Sequence, residues 1–548
     1  MRRLSSVLRS LPLLLLALVL MLPVLAVLGS WLPVGQGDVL AGSILREMAA
    51  TVLPGYLWTT VWLGLLVALG AAIVGTGTAA AVTLFDFRGR RQLEWLLLLP
   101  LAMPAYVTAY AYTDFLQFSG PLQTWMRDTY GLEGRLLPEV RSLGGAVWVF
   151  IFSLYPYVYL LARTALGERA AHLMEAARLM GAPLSRRIWS VALPLARPAV
   201  AAGVALVVME TLADFGVVSY FGIQTFTTGI YKAWLSMDNR IAAAQLATFL
   251  LVLVVLLLQL ELRAQRRMRF VTGSTGRASS AEAQPLRLRG WRCALAWLAC
   301  LLPVLMGFLA PVFFMLRPLA ADWSVLPWDR FLDWALNSVR LGIITSVLAV
   351  IIAVALAFAV RRHKESAVTR GVVQLASLGY AVPGAVVVVG LLLPVGWVQQ
   401  VRPEWGFAGL VTATAVGIVW AYLVRFCAVA LQSMQSGYAR IAPSLDDSAR
   451  MLGTGAWGML SRVHWPLLRR STAAAALLVF VDVMKELPAT MVLRPFNSDT
   501  LAVVAYQLAR DERLGEAALP SLALVLVGLI PVIMLSRTLR AERPGTAR

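Results

Sequence analysis

Apolar residues run in long blocks along this chain, with polar positions confined to the gaps between them. Twelve stretches are long enough to cross hydrocarbon as helices, near 11–30, 57–83, 93–117, 143–162, 199–222, 241–260, 293–316, 336–360, 371–398, 407–433, 473–493 and 519–536. A spanning helix needs about 20 mostly apolar residues. The pattern predicts an all-α polytopic membrane protein with about 12 transmembrane helices. Composition agrees: 59% of the 548 residues are hydrophobic and 14% charged, with a mean hydropathy of +0.75. Soluble domains lie near 45–50% apolar and about 25% charged, so the length does not stand for several soluble domains.

The net charge of +19, from 48 Lys and Arg against 29 Asp and Glu, would suggest nucleic acid in a soluble protein. Sorting the basic residues by connection changes that reading. Connections on the side of the N-terminus carry 33, those on the opposite side 12, and three fall within spans. Insertion places Lys and Arg inside, so both termini are expected in the cytoplasm and the charge is mostly a topology signal. No basic face interleaved with aromatics lies outside these loops, so no nucleic-acid partner is expected.

Arg2, Arg3 and Arg9 precede the first apolar run, which could be a signal peptide ending near Ala26–Ser30. The run is long for that purpose, and a retained helix is expected. Cys293, Cys300 and Cys427 have no paired short spacing, which predicts neither a disulfide framework nor a zinc site. His172, His363 and His464 are far apart and are expected to be surface imidazoles rather than metal ligands.

The chain repeats itself. Glu175-Ala176-Ala177-Arg178-Leu179-Met180-Gly181 returns 272 residues later as Asp447-Ser448-Ala449-Arg450-Met451-Leu452-Gly453. The same offset pairs Pro194 with Pro466, Glu210 with Asp482 and Asp214 with Glu486. Upstream, Thr60–Gly64 corresponds to Ser338–Gly342 and Pro104 to Pro383. Each half then holds six spans. Because six is even, the halves enter from the same side, as parallel repeats with a path between them. The expected division is an N-terminal half at 1–262, a linker at 263–292 centred on Gly273-Ser274-Thr275-Gly276, and a C-terminal half at 293–548.

The longest cytoplasmic connections, 163–198 and 434–472, are the repeated ones. Leu173, Ala176/Ala177 and Met180, and Leu445, Ser448/Ala449 and Leu452, have the spacing of an amphipathic helix. Gly181 and Gly453 suit a left-handed helix end. Such a helix could lie on lipid. A fixed helix–glycine–helix geometry, kept in both halves, is better explained by docking into a partner's groove.

The spacing E-A-A-x3-G-x9-I-x-L-P resembles the signature of inner-membrane permeases of binding-protein-dependent ATP-binding-cassette importers. Residues 175–194 match it with Val191 in place of Ile; the second copy departs at Asp447, Ser448 and Trp465. The resemblance implies a type I importer fold in the bacterial inner membrane. It also implies that each loop couples to one subunit of an ATPase homodimer, through Glu175, Ala177 and Gly181 and through Asp447, Ala449 and Gly453. ATP and Mg are then expected on those partner subunits, with no cofactor on this chain. The phosphate-cradling G-x-x-x-x-G-K-[ST] loop is missing, since Lys232, Lys364 and Lys485 follow Tyr, His and Met. No enzyme signature appears either.

Four acidic residues inside predicted spans form two i/i+4 pairs, Glu210/Asp214 and Asp482/Glu486, with Lys485 beside the second. A carboxylate facing lipid costs on the order of 3 kcal/mol, so these should face the interior. Either they form a neutralised structural network with Lys485 or they line the solute's path. The segments Glu210–Gly216 and Lys485–Thr490, followed by Leu493-Arg494-Pro495-Phe496, resemble fused ferric-iron permeases over nearly the whole chain. That resemblance implies a periplasmic binding protein delivering Fe(III), with transient iron contact at Glu210, Asp214, Asp482 and Glu486. Fused thiamine and phosphonate permeases are built alike. The outer loops 223–240 and 494–518 are expected to receive the binding protein. A secondary transporter is the main rival class, but it has no need of two glycine-hinged docking helices.

Overall fold

The computed structural model describes residues 2–31, 37–167, 171–272, 286–321, 323–324, 326–362 and 367–541. Among them the chain is helical almost throughout; the two strands present, Phe85–Asp86 and Leu286–Arg287, pair in parallel over two residues. Most of the linker core, residues 273–285, lies outside the described residues.

Ten described helices are long and apolar enough to cross a membrane, and the bent pair Arg90–Ala102 and Ala105–Tyr130 makes an eleventh. The expected twelfth, at 473–493, is the helix Trp465–Lys485. It carries Arg469, Arg470, Asp482 and Lys485 within 21 residues, too much charge for an apolar span. Its counterpart Leu184–Ala213 passes.

The repeat is visible in helix boundaries. Leu143–Ala165, Ala171–Leu179 and Leu193–Ala213 start 272 residues before Ala415–Ala439, Pro443–Met451 and Trp465–Lys485. Pro104 and Pro383 also act alike. Each follows a short 3-10 turn and takes extended backbone (ψ 140° and 143°) before a new helix starts. Proline has no N–H to continue a helix and forces its predecessor out of the helical region. Pro156, by contrast, sits inside the unbroken helix Leu143–Ala165.

The contacts divide the chain into two compact units. One contains residues 1–49, 229–251 and 328–504, the other 50–228, 252–327 and 505–548. Each unit therefore takes most of one sequence half together with the first span of the other. In the second unit, Leu53–Leu84, Leu143–Ala165 and Leu193–Ala213 pack against one another. Gly75 and Gly203 bring their backbones against Val158; a Cβ on either would lie 2.7 Å from Val158 atoms. Small residues let membrane helices approach this closely.

In the first unit, Trp328–Arg362, Ala415–Ala439 and Trp465–Lys485 form the corresponding core. The N-terminal helix Arg2–Gly29 packs along Gly384–Val401, and Trp420 donates its indole N–H to the Val19 carbonyl at 2.9 Å. Gly390 lies against the Pro23 carbonyl with no room for a Cβ. These contacts seat the N-terminal helix among the helices of its unit. Gly390→Val should cost about 1–3 kcal/mol through overpacking, read as a lower unfolding midpoint of the detergent-solubilised protein; Gly409→Val, at a glycine with open space around it, should cost much less.

Candidate functional site

The repeated loops have one geometry. In each, a nine-residue helix (Ala171–Leu179 or Pro443–Met451) ends at a glycine with positive φ, 81° at Gly181 and 75° at Gly453. Ala182 N–H reaches the Ala177 carbonyl at 3.0 Å and Gly181 N–H the Arg178 carbonyl at 2.9 Å. Thr454 to Ala449 and Gly453 to Arg450 repeat both bonds at the same lengths. This double bond pattern is the Schellman helix end, which needs the left-handed conformation that glycine adopts without a Cβ penalty. The chain then enters the next long helix through a π-helical turn, Ile188–Ala192 or Met459–His464.

Ala177 and Ala449 are buried on the inner side of these helices. Their outer ends present paired large apolar side chains at equivalent positions: Leu179 and Met180 are 84% and 81% exposed, Met451 and Leu452 88% and 85%. Asp447 is exposed and pairs with Arg450 at 3.1 Å. The side chain of Glu175 lies outside the described residues.

His464 departs from the expected surface imidazole. It is fully buried, with Nε2 3.1 Å from Asp446 Oδ1 and Nδ1 3.3 Å from the Tyr438 hydroxyl. The Arg361 guanidinium donates to both Asp446 oxygens, at 2.7 and 3.3 Å, and to the Ile441 carbonyl at 3.0 Å. Burial alone would raise the Asp446 carboxyl, but the hydrogen bonds from Arg361 and His464 outweigh it and hold the group below the usual carboxylate range. A depressed carboxylate stabilises the fold above its unfolded pKa of about 4 and loses that contribution as pH falls through its folded value. Acidification from pH 7.5 to about 5.5 should therefore leave the Asp446 contribution unchanged; a pH series of unfolding midpoints for wild type and Asp446→Asn checks it. His363 and the side chain of His172 lie outside the described residues.

The two intramembrane acid pairs are equivalent in place as well as in sequence. Leu193–Ala213 ends at Asp214 and Trp465–Lys485 at Glu486, both in extended backbone. Each carboxylate then caps the short helix that follows. Asp214 Oδ1 accepts Val217 N–H at 2.8 Å; Glu486 accepts Ala489 N–H and Thr490 N–H at 3.0 Å and the Thr490 hydroxyl at 2.8 Å. Glu486 is paired with Arg425 at 2.8 Å, not with the adjacent Lys485; Glu486 is buried and Arg425 largely so. Glu210, Asp482 and Lys485 are half-buried on the preceding helices, with Asp482 the electrostatic neighbour of Lys485. Among the described residues, no group of three or more His, Cys, Asp or Glu side chains is placed to hold a metal ion.

Just before the start of Leu143–Ala165, away from the loop at 163–198, Arg141 forms a two-pronged pair with Glu512 at 2.7 and 2.9 Å and stacks on Tyr220 at 4.7 Å. The pair borders a polar cavity of about 200 Å³ that also involves Thr113, Gln117, Arg135 and Glu139. In the loop after Leu493, an Arg494–Asp499 pair at 3.1 Å supports a turn that leaves Phe496 97% exposed. Sequence reasoning singled out neither Arg141 nor Glu512, which are 371 residues apart.

Residues 71–270 match the family described as "Binding-protein-dependent transport system inner membrane component". The chain is 25% identical over 481 residues to the Fe(3+)-transport system permease protein FbpB 2 of Haemophilus influenzae, covering 87% of this chain and 88% of that protein. It is 24% identical over 514 residues to the probable ABC transporter permease protein y4fN of Sinorhizobium fredii, covering 90% and 88%. The sulfate transport system permease protein CysW of Escherichia coli matches at 28% over 230 residues, 41% of this chain and 77% of that protein.

Proposed function

We propose, for a chain that is itself a fused inner-membrane permease of the binding-protein-dependent ABC importers, that the solute it carries is ferric iron. The permease class rests on the family match across the first repeated loop and on relatives of double length. What carries the transport reading structurally is the twin helix–glycine device with its exposed apolar pairs. Among the described residues, the two repeated loops end in matching exposed apolar pairs, which supports a partner that engages the chain at two sites.

Iron is favoured over sulfate because the relative named for Fe(3+) transport aligns along both halves, whereas the sulfate permease aligns with 41% of the chain. Fe(III) is a hard cation that prefers oxygen ligands. The acids Glu210, Asp214, Asp482 and Glu486 contribute to its path as transient oxygen contacts rather than as a resident metal site, and Lys485 lines the same path as a cation beside them. An ATPase homodimer, which holds ATP and Mg, docks on the loops at 163–198 and 434–472, with both termini on its side. A periplasmic binding protein docks on the outer loops 223–240 and 494–518.

The test of solute is uptake of radioactive iron in a deletion strain complemented with this chain, against sulfate, thiamine and phosphonate controls. Iron uptake restored alone supports the reading; restoration of another solute in its place overturns it. Because Asp214 and Glu486 also cap helices, the informative path variants are Glu210→Gln and Asp482→Asn. Their combination should lower uptake by about tenfold or more at normal membrane abundance, and unchanged uptake would remove these acids from the path.

A further inference from the structure

The two docking loops are alike on their outer faces but are tied to the membrane helices by different chemistry. Under the second helix, Pro443–Met451, lies the buried group of Asp446, Arg361, His464 and Tyr438. Arg361 stands in the last turn of Trp328–Arg362, and its guanidinium lies 6.0 Å over the Tyr438 ring. Phe358, one turn earlier, meets His464 edge-on at 5.6 Å. At the matching positions of the first half, an offset of 272 gives Met174, Ala192 and Leu166 for Asp446, His464 and Tyr438. The offset of 278 that relates Thr60–Gly64 to Ser338–Gly342 gives Thr83 for Arg361. Met174, Ala192 and Leu166 are buried, so at these three positions the first helix has apolar packing where the second has the charged group.

The difference is mechanical. Apolar packing is non-directional, so a helix seated on it can slide. A carboxylate held by two guanidinium bonds and an imidazole is fixed in direction as well as distance. We propose that Asp446 is the positioning residue that locks the second docking helix to Trp328–Arg362, so that displacement of this loop by the ATPase is passed to that span as one body. The first loop, without the lock, transmits more loosely, and the importer is driven unequally through its two halves. This inference rests on the ATPase-docking reading of the loops.

The test uses the full chain in proteoliposomes with its ATPase and binding protein, reading two quantities: ATPase captured by the permease, and ATP hydrolysis stimulated by loaded binding protein. Asp446→Asn should capture ATPase at the wild-type level while stimulated hydrolysis falls by about tenfold, a change of the size that single coupling residues produce. Asp446→Glu should retain most of it, and Met174→Leu in the first loop should stay within about twofold. Stimulated hydrolysis within about twofold of wild type for Asp446→Asn would overturn the lock. Should Asp446→Asn not reach the membrane, the exchange R361T/Y438L/D446M/H464A installs the first half's residues and removes every buried charge together, which proteins tolerate better than removing one partner. That variant should insert, capture ATPase and remain poorly stimulated; full stimulation would overturn the proposal. Absence of ATPase capture by the wild-type chain is a separate result and counts against the docking reading itself.

Discussion

Glu486→Ala should destabilise the protein by about 3–5 kcal/mol, the range for removing one partner of a buried ion pair. The residue does three things at once. It neutralises Arg425 at 2.8 Å, caps Pro488–Leu493 through two backbone N–H groups, and accepts the Thr490 hydroxyl. Cap loss alone is worth about 1 kcal/mol, so the stranded Arg425 guanidinium dominates. Glu486→Gln keeps an acceptor for the cap and should cost less, while R425M/E486Q removes both charges and should recover part of the loss. Unfolding midpoints in detergent for the three variants check the order. An unchanged midpoint for Glu486→Ala would show that the Arg425 pair contributes nothing net.

The second large effect concerns the exposed pairs. Burying a Leu or Met side chain is worth about 1.5–3 kcal/mol, so Met180→Asp with Leu452→Asp removes roughly 3–6 kcal/mol of docking energy before any cost of burying the new carboxylates. Affinity for the ATPase should fall by about 10²–10⁴-fold and uptake should cease. The permease itself should remain folded, since Met180 and Leu452 contribute almost nothing to its interior. Co-purification of the ATPase, with unfolding midpoints as the control, checks both halves of this expectation. Undiminished co-purification would place the dock elsewhere on the loops.

The parts of the fold governed by local pattern were readable from the sequence. Apolar blocks of spanning length, the 272-residue offset, and Gly181 and Gly453 as left-handed helix ends all depend on residues near one another. The breaks at Pro104 and Pro383 also follow from proline's own stereochemistry. By length and composition alone Trp465–Lys485 does not stand out as a span, because it mixes an apolar stretch with four charges.

What escaped depends on distant partners. Arg425 meets Glu486 across 61 residues, Arg361 meets Asp446 across 85, and Arg141 meets Glu512 across 371. One signal was available: Arg425 is a lone Arg inside a span, and an intramembrane charge calls for a partner. That the acids lie away from lipid was to be expected from the sequence; that Asp214 and Glu486 turn back to cap the next helix was not. His464 looked like a surface imidazole because the sequence of a cytoplasmic connection gives no sign of which side chains fold under its helices. The placement of each half's first span in the other unit is likewise invisible to periodicity, which marks a helix as apolar without saying what it packs against.

The most direct measurement of the central claim is ATP hydrolysis and solute uptake in proteoliposomes holding this chain with its ATPase and binding protein. Loaded binding protein should raise hydrolysis, and solute should accumulate only when ATP and the ATPase are both present. Solute accumulation driven by an ion gradient without the ATPase would contradict the account.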